Sequence, residues 1–312
     1  MGLTHYPHGV ASFGMPVLGM GEETMTTGNV FFVDSGAANA SDGNRATSPD
    51  APAATIDGCI AKCTANNGDI IFVMPGHDEN PTSSITMDIA GVWIRGLGWG
   101  ADRPTVTFGA AAACVAMSAA SCRVSNIRFD LGTVAATVND LFVVTKPDCI
   151  IENCETVPHA TSQFNTIINA DTSATRLVVR NNRFLTLTTD TGTTTGFELN
   201  GCDQIQIYNN LIFGNFSADA IDNDTDEILD AFVFNNIIRN TSTAGECFDM
   251  DANATGIFVS NHFGGGLNYE ANVTGGLAAG VTAIMYSDNW MWDSTAGGGK
   301  SGGIFPVARL TS

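Results

Sequence analysis

The residues Glu198, Asp222 and Asp249 are carboxylates that each follow a Phe or Ile at corresponding places in successive segments. If the apolar residue of each pair points into a strand-built core, the carboxylate after it points outward. Strands stacked in one sheet lie about 4.8 Å apart, so the three acids would form an outer ladder. Glycoside hydrolysis uses two carboxylates roughly 5–10 Å apart, and such close like charges raise at least one pKa. The three acids are therefore candidate catalytic residues.

Two observations favour a plain surface role for these acids. The chain carries a formal net charge of −19, so a solvated or cation-binding acidic face is the alternative to catalysis. Few aromatic residues stand beside the acids in the sequence to form a platform for sugars. The sequence therefore favours a chain that is not an enzyme, with the three acids as the candidates if it is one.

Asp222, Asp224 and Asp226 have the spacing that starts a calcium-binding loop. The sixth position is Glu227 and the twelfth is Val233, where an EF-hand needs Gly and Glu, so an EF-hand is excluded. The three Asp residues remain candidates for an incidental divalent cation, and no cofactor is expected.

The eight cysteines are expected to be free, buried thiols. Cys122 and Cys149 fall in an apolar column of the repeat described below, where Cys packs as a small hydrophobic side chain. Disulfides are the alternative. The five His residues are scattered and form no set with Ser, Asp or Cys.

A repeat positions all of these residues. A short apolar run meets an Asn or Asp at nearly constant intervals of 27, 28, 28, 26, 26 and 27 residues, which is the signature of stacked structural repeats. An eighth copy, ending at Gly96, precedes the first by 30 residues. The seven markers are Asn126, Asn153, Asn181, Asn209, Asn235, Asn261 and Asp288.

The columns of this repeat predict a parallel β-helix. Positions two and four residues before the marker are apolar in nearly every copy, and alternation in a strand puts both on the inner face. The position three after the marker, which includes Trp99 and Gly264, is expected to be the next inner column. The marker Asn is expected at a left-handed bend and in an internal amide ladder. The column two residues before the marker runs from Ile94 through Val259 to Tyr286. The column four residues before it runs from Val92 through Ile257 to Ile284.

Composition fits one elongated solenoid. The chain has 312 residues, 34 Gly and only 14% charged residues. Its 13 Lys and Arg against 32 Asp and Glu disfavour nucleic acids and anionic membranes as partners. No residue before Arg45 is basic, so we expect no signal peptide, and no apolar run approaches a membrane span.

The repeat sets the expected organisation. Residues 1–28 are predicted to be an extended N-terminal arm, and residues 29–293 a solenoid with an N-terminal cap at 29–90 and rungs at 91–293. The cap includes a helix over 55–65, where apolar residues have helical spacing. Residues 294–312 are either a second contact arm or a strand that folds back as the C-terminal cap.

The stretch from Val30 to Thr107 resembles the opening of right-handed parallel β-helix proteins of the pectate-lyase-like type, which include tailed-phage proteins. Residues 8–19 (HGVASFGMPVLG) resemble the N-terminal arm of phage members. The segments that carry the first resemblance are 31–36 (FFVDSG), 42–44 (DGN), 47–52 (TSPDAP), 54–57 (ATID), 67–77 (NGDIIFVMPGH) and 91–98 (GVWIRGLG).

The resemblance implies a trimeric virion protein whose solenoid projects outward. We therefore expect an all-β right-handed parallel β-helix of eight or more rungs that acts as a bacteriophage capsid decoration or cement protein, or a head or tail fitting. Its expected partners are two further copies and other virion proteins. The alternatives are a tailspike-type protein that binds or cleaves host glycans and a bacterial surface adhesin.

Overall fold

The structure, a computed structural model, describes residues 11–12, 15–16, 26–131, 138–159, 162–188, 193–223, 226–242, 245–250, 253–265, 284–293 and 302–304. Three parallel sheets run along these residues, and the chain passes through each sheet once in every turn. Seven turns have a strand in all three sheets within the described ranges. The all-β parallel β-helix that the repeat predicts is confirmed.

The strands are short because each sheet receives only a few residues per turn. Sheet 1 consists of Val30–Val33, Ile70–Val73, Trp93–Gly96, Arg123–Ser125, Ile150–Glu152, Val178–Arg180, Gln206–Tyr208, Ala231–Phe234, Gly256–Val259 and Ile284–Ser287. Sheet 2 consists of Asp78–Glu79, Thr105–Thr107, Arg128–Asp130, Glu155–Thr156, Arg183–Leu185, Leu211–Gly214, Ile237–Asn240, His262–Gly265 and Trp290–Asp293, with Gly302–Ile304 at its end. Sheet 3 consists of Ile85–Met87, Val115–Met117, Val138–Val144, Phe164–Ala170, Thr195–Leu199, Ile221–Asn223 and Asp249–Met250.

The core is a stack of apolar side chains that the three sheets enclose. Ile94, Val124, Ile151, Val179 and Ile207 are paired in register along sheet 1, and all are buried. Each turn packs its inner side chains against one another, as Phe129 does on Phe142, and against the turns above and below it. Stability therefore accumulates turn by turn.

A short helix, Ile56–Ile60, covers the N-terminal end of this stack. Its Ile56, Cys59 and Ile60 are buried, and the Thr55 hydroxyl accepts a hydrogen bond from the N–H of Gly58. The helix is shorter than the expected 55–65, because the chain turns away after Ile60. A capping helix closes an end that would otherwise expose core.

The amide ladder lies one residue beyond the predicted position. The marker residues Asn126, Asn153, Asn181, Asn209 and Asn235 are the left-handed bend, with φ between 52° and 57°, and are half-buried or exposed. For these five residues the prediction of a left-handed bend is confirmed, and the prediction that their side chains form the ladder is wrong. Asn261 does belong to the ladder as predicted, with the bend at Ser260 before it. The left-handed residue reverses the alternation, so the following side chain is the one that enters the core. The ladder residues are Asn182, Asn210, Asn236, Asn261 and Asn289, and all five are buried.

Each ladder amide binds two turns. Asn210 Oδ1 accepts from the backbone N–H and the Nδ2 of Asn182, both at 3.0 Å, and Asn210 Nδ2 donates to the Val179 carbonyl at 2.9 Å. The same contacts recur from Asn236 and Asn261 to the turn before each. Backbone groups at the corner are thus satisfied inside the core.

Four other column assignments change with the register, and one of them is Ile257, which pairs with the outward Phe232 while Gly256 pairs with the buried Ala231. The turn that ends sheet 1 at Ser260 is one residue shorter than expected, so the bend residue is Ser260, the ladder residue is Asn261 and the inner residue is Phe258 rather than Val259. In sheet 2, Phe263 rather than Gly264 follows Ile238 in the column. Trp99 is 75% exposed and lies outside the sheet, where Val106 takes its place.

The described parts of both termini are short strands. Gly302–Ile304 pairs antiparallel with Trp290–Asp293, on the outer edge of sheet 2. Ala11–Ser12 pairs antiparallel with Met15–Pro16. The Thr26 hydroxyl donates to the Gly68 carbonyl, and the Asn29 N–H donates to the Asp69 carboxylate at 2.6 Å. The domain boundaries predicted above stay predictions.

The ladder can be tested by paired substitutions at one corner. Asn236→Ala leaves buried donors and acceptors of Asn210, Ile207 and Asn261 without their partner, so we expect a loss of about 3 kcal/mol of unfolding free energy. Asn235→Ala strains a left-handed position and should cost about 1 kcal/mol, while Asn235→Gly should cost almost nothing. Denaturant titrations measure all three. A larger loss at Asn235 than at Asn236 would show that the ladder is misassigned.

Candidate functional site

Sheet 3 brings the three predicted acids together. Glu198 is the register partner of Asp222, and Asp222 is the register partner of Asp249, so the three occupy successive turns. The apolar residues before them are buried and the carboxylates are half-buried, so each acid lies on the outer side of the sheet. The adjacent strands set these acids about 4.8 Å apart at the backbone.

Three further acids extend this column into a cluster. Asp219 and Glu246 each stand three residues before a member of the column, and Asp219 Oδ1 accepts from the Glu246 N–H at 2.7 Å. Asp140 lies close to Glu198 and accepts hydrogen bonds from Asn169 and Thr166. The acidic cluster is therefore Asp140, Glu198, Asp219, Asp222, Glu246 and Asp249.

Burial and like charge act most strongly on Asp219. Desolvation raises the pKa of its carboxyl to about 7, with smaller contributions from the nearby Asp222, Glu246 and Asp249, while the hydrogen bond from the Glu246 N–H opposes the rise. Burial also raises the pKa of Asp140, with help from the charge of Glu198. The cluster thus contains a carboxyl that binds a proton near neutral pH beside other carboxylates.

The acidic cluster holds the kind of groups that perform acid–base chemistry. A protonated carboxyl that stands beside an ionised one is the pairing that acid–base hydrolysis of glycosidic bonds uses. The outward aromatic residues Tyr208, Phe232 and Phe234, however, belong to sheet 1 and not to sheet 3. A sugar at the acidic cluster would therefore not stack on those rings.

Two of the three candidate calcium ligands lie among the described residues. Asp222 belongs to the acidic cluster, Asp226 is exposed on the following bend, and Asp224 lies outside the described residues. Within the ranges that the structure describes, no group of three or more His, Cys, Asp or Glu side chains is arranged to hold a metal ion.

A second polar constellation lies on the outer side of sheets 1 and 2. Glu152 is buried between Arg123 of the preceding turn and Arg180 of the following turn, with Arg180 Nε at 2.7 Å from its Oε2. Glu155 accepts from Arg128 Nε at 2.7 Å and from Arg103 NH1 at 2.8 Å. These carboxylates are neutralised by two guanidinium groups each, which makes them links between turns.

All eight cysteines are free thiols, as the sequence predicts. Burial raises the pKa of the Cys149, Cys154, Cys202 and Cys247 thiols to about 12. A thiol that stays protonated at neutral pH is a poor nucleophile and metal ligand. These residues therefore serve as core side chains.

Sequence reasoning found the column of three acids and missed Asp219, Glu246 and Asp140. A signal for two of them is present: an acid three residues before the column member occurs in two consecutive turns, at Asp219 and Glu246. The burial that makes Asp219 the most perturbed of them has no such signal in the sequence.

No helix among the described residues is long and apolar enough to cross a membrane.

Comparisons with known proteins concern the fold alone. The chain is similar to the crystal structure of pectate lyase Pel9A, with a TM-score of 0.49 and 15% identity over 87% of this chain and 78% of that chain. It is also similar to ORF18 of Geobacillus virus E2, with a TM-score of 0.28 and 13% identity over 80% of this chain and 59% of that one. No family model and no curated protein matches the sequence.

The raised pKa of Asp219 predicts a pH-dependent stability. Between about 4, where Asp ionises in an unfolded chain, and about 7, the folded protein holds a proton that the unfolded chain has lost. Stability contributed by this group is therefore lost as the pH rises through that window. We expect Asp219→Asn to raise the melting midpoint by a few degrees at pH 8 and to change it little at pH 4.

Thermal unfolding at the two pH values measures this effect, with Asp226→Asn at an exposed position as the control. An equal shift of the Asp219→Asn midpoint at pH 4 and pH 8 would contradict the assigned ionisation.

Proposed function

We propose that this chain is a non-catalytic structural protein of a bacteriophage particle, either a capsid decoration or cement protein or a head or tail fitting, that assembles as a homotrimer. Its solenoid acts as a rigid projection, and its terminal segments attach it to other virion proteins. The site of this function is then the outer surface of the rod and not a cleft.

The observation that carries the proposal is the use of polar side chains as links between turns. The amide ladder joins five consecutive turns from Asn182 to Asn289, with both the Oδ1 and the Nδ2 of each inner member engaged. In the turns that precede the ladder, Glu152 and Glu155 bind Arg residues and so link neighbouring turns. Buried, paired polar groups hold the spacing of the turns fixed, because any slip leaves several of them unpaired. A rod of this kind suits a mechanical role.

The phage setting is supported by the sequence. Residues 8–19 resemble the N-terminal arm of phage-encoded β-helix proteins, and the several apolar residues of this segment suit packing on a neighbouring subunit.

The location of the protein in purified particles tests the proposal. We expect cryo-EM maps and quantitative gels of particles from the source to show many copies over the capsid lattice, or a small fixed number at a head or tail vertex. Absence of the protein from particles would overturn the virion role.

Attachment through the N-terminal arm gives a second expected result. Deletion of residues 1–25 keeps the contacts of Thr26 with Gly68 and of Asn29 with Asp69, so the melting midpoint should stay within about 2 °C of the full chain. Binding to particles that lack the protein should weaken at least tenfold. The full chain is the control, and full binding by the truncated protein would show that the arm is not the anchor.

A glycan-cleaving protein is the second candidate, because Asp219, with a pKa of about 7, lies beside Asp222 and Asp249. If this candidate is right, the full chain releases reducing ends from the capsular or outer-membrane polysaccharide of the host. Asp219→Asn and Asp222→Asn should then each lower the rate at least a hundredfold, since acid–base groups contribute about that much or more.

The exposed Asp226→Asn is the matched control for this assay, since it removes one carboxylate close to the acidic cluster in the sequence. No release of reducing ends by the full chain, or equal rates for all variants, would exclude the cluster as an active site for these polysaccharides.

A further inference from the structure

The outer sides of sheets 1 and 2 become apolar toward the C-terminal end of the rod. Phe232 and Met285 in sheet 1 are 37% and 55% exposed, and Ile237 and Trp290 in sheet 2 are 47% and 48% exposed. We call the outward side chains of these turns the apolar face. Its other apolar members are half-buried and lie in register with them: Tyr208, Leu211, Phe213, Phe234, Ile257 and Val259. The same columns hold two exposed polar residues, Gln206 beside Phe232 and His262 between Ile237 and Trp290.

The apolar face is free of acids over three turns. Residues 206–214, 231–240 and 256–265 contain no Asp or Glu, although the chain has 32 acids in 312 residues. The fourth turn has Asp288 at its corner. Large exposed apolar patches mark interaction sites, and the lack of acids here removes the repulsion that a −19 chain would otherwise feel on self-association.

The charge on the rest of these two sheets is balanced as well. Their strands carry six Arg and six acidic residues, so the formal net charge is 6 − 6 = 0, whereas the strands of sheet 3 carry four acids and no Lys or Arg. A copy that approaches through sheets 1 and 2 meets a neutral surface. A copy that approaches through sheet 3 meets only negative charge.

The apolar face lies on both sides of a corner. The sheet 1 part and the sheet 2 part are separated by the left-handed bend at Asn209, Asn235 and Ser260. A two-fold contact that pairs one side with itself leaves the other side in water. A cyclic contact, in which sheet 1 of one copy packs on sheet 2 of the next, covers both sides and closes a ring.

A glycan fits this surface less well than protein does. Sugars need hydrogen-bonding groups beside the rings on which they stack. The exposed Gln206 and His262 carry such groups, whereas the exposed Ile237 and Met285 carry none and suit a protein partner. Arg239 lies over the Phe213 ring, 4.9 Å from its centre, and so packs as part of the face.

We infer that the apolar face binds a second copy of this chain, with the sheet 1 side of one copy against the sheet 2 side of the next, in a cyclic homo-oligomer whose axis runs along the rod. This arrangement keeps the acidic cluster of sheet 3 on the outside of the assembly. The inference deepens the proposed structural role and names the surface through which the copies meet.

Solution mass and a charge insertion test the interface. We expect the full chain to be a stable oligomer in native mass spectrometry and in sedimentation, and Phe232→Glu and Ile237→Glu each to raise its dissociation constant at least tenfold. Trp99→Glu is the matched control, because it puts the same charge at a 75% exposed apolar residue outside the face, and it should leave assembly unchanged. Melting of each variant shows whether it is folded.

The direction of the contact is tested by cross-linking of mixed variants. Phe232 and Ile237 lie in the same turn, so in a ring around the rod axis they meet at the same height. Oxidation of an equal mixture of Phe232→Cys and Ile237→Cys should give covalent dimers, and neither variant should give them alone.

Three results would overturn the inference. The first is a monomeric full chain, whether or not it binds a glycan through this face. The second is an assembly that survives both Glu substitutions. The third is cross-linking of either Cys variant by itself. These results concern purified protein only. Failure of the interface and absence of the protein from virions are therefore separate outcomes.

Discussion

The corner between sheets 1 and 2 is the constraint on which the rest of the solenoid depends. Each turn bends there on one left-handed residue, and the backbone groups that follow point into a core without water. An unpaired buried group costs about 1–3 kcal/mol. The Asn column meets this cost by binding a backbone N–H and a carbonyl of the turn before. Before the ladder, Arg103 reaches Asn126 Oδ1 and the Asn153 carbonyl instead.

That corner also explains how far the sequence could predict the fold. Alternation of side chains along each strand was enough for the inner columns, such as Val124, Ile151 and Val179. It failed at the corner, because a left-handed residue inverts the alternation and moves the ladder from Asn181 to Asn182. The error was avoidable, since the position after the bend is Asn in five consecutive turns. The exposed Trp99 was beyond this reasoning, because its turn has a longer segment between sheets 1 and 2, from Gly96 to Thr105, than the next turn has between Ser125 and Arg128.

The acidic cluster, too, could be predicted from the sequence only in part. The register of sheet 3 follows from the repeat, so the stacking of Glu198, Asp222 and Asp249 was predictable. The raised pKa of Asp219 was not, because it depends mainly on how much of that carboxyl the neighbouring turns bury. A one-dimensional repeat predicts which residues share a column. It does not predict how deeply each lies, because depth depends on the loops between strands, and these differ in length from turn to turn.

The three sheets differ in the charge that their strands carry, and this difference bears on the proposed contact between copies. Sheets 1 and 2 carry all the Arg residues found in strands, and two of their acids are enclosed by Arg pairs, while the strand acids of sheet 3 face outward without a strand Lys or Arg. A chain with a net charge of −19 can associate with itself only where that charge is absent. The left-handed bend divides the uncharged surface into two sides, so the residue type that lets each turn change direction also shapes the surface through which we propose that copies meet.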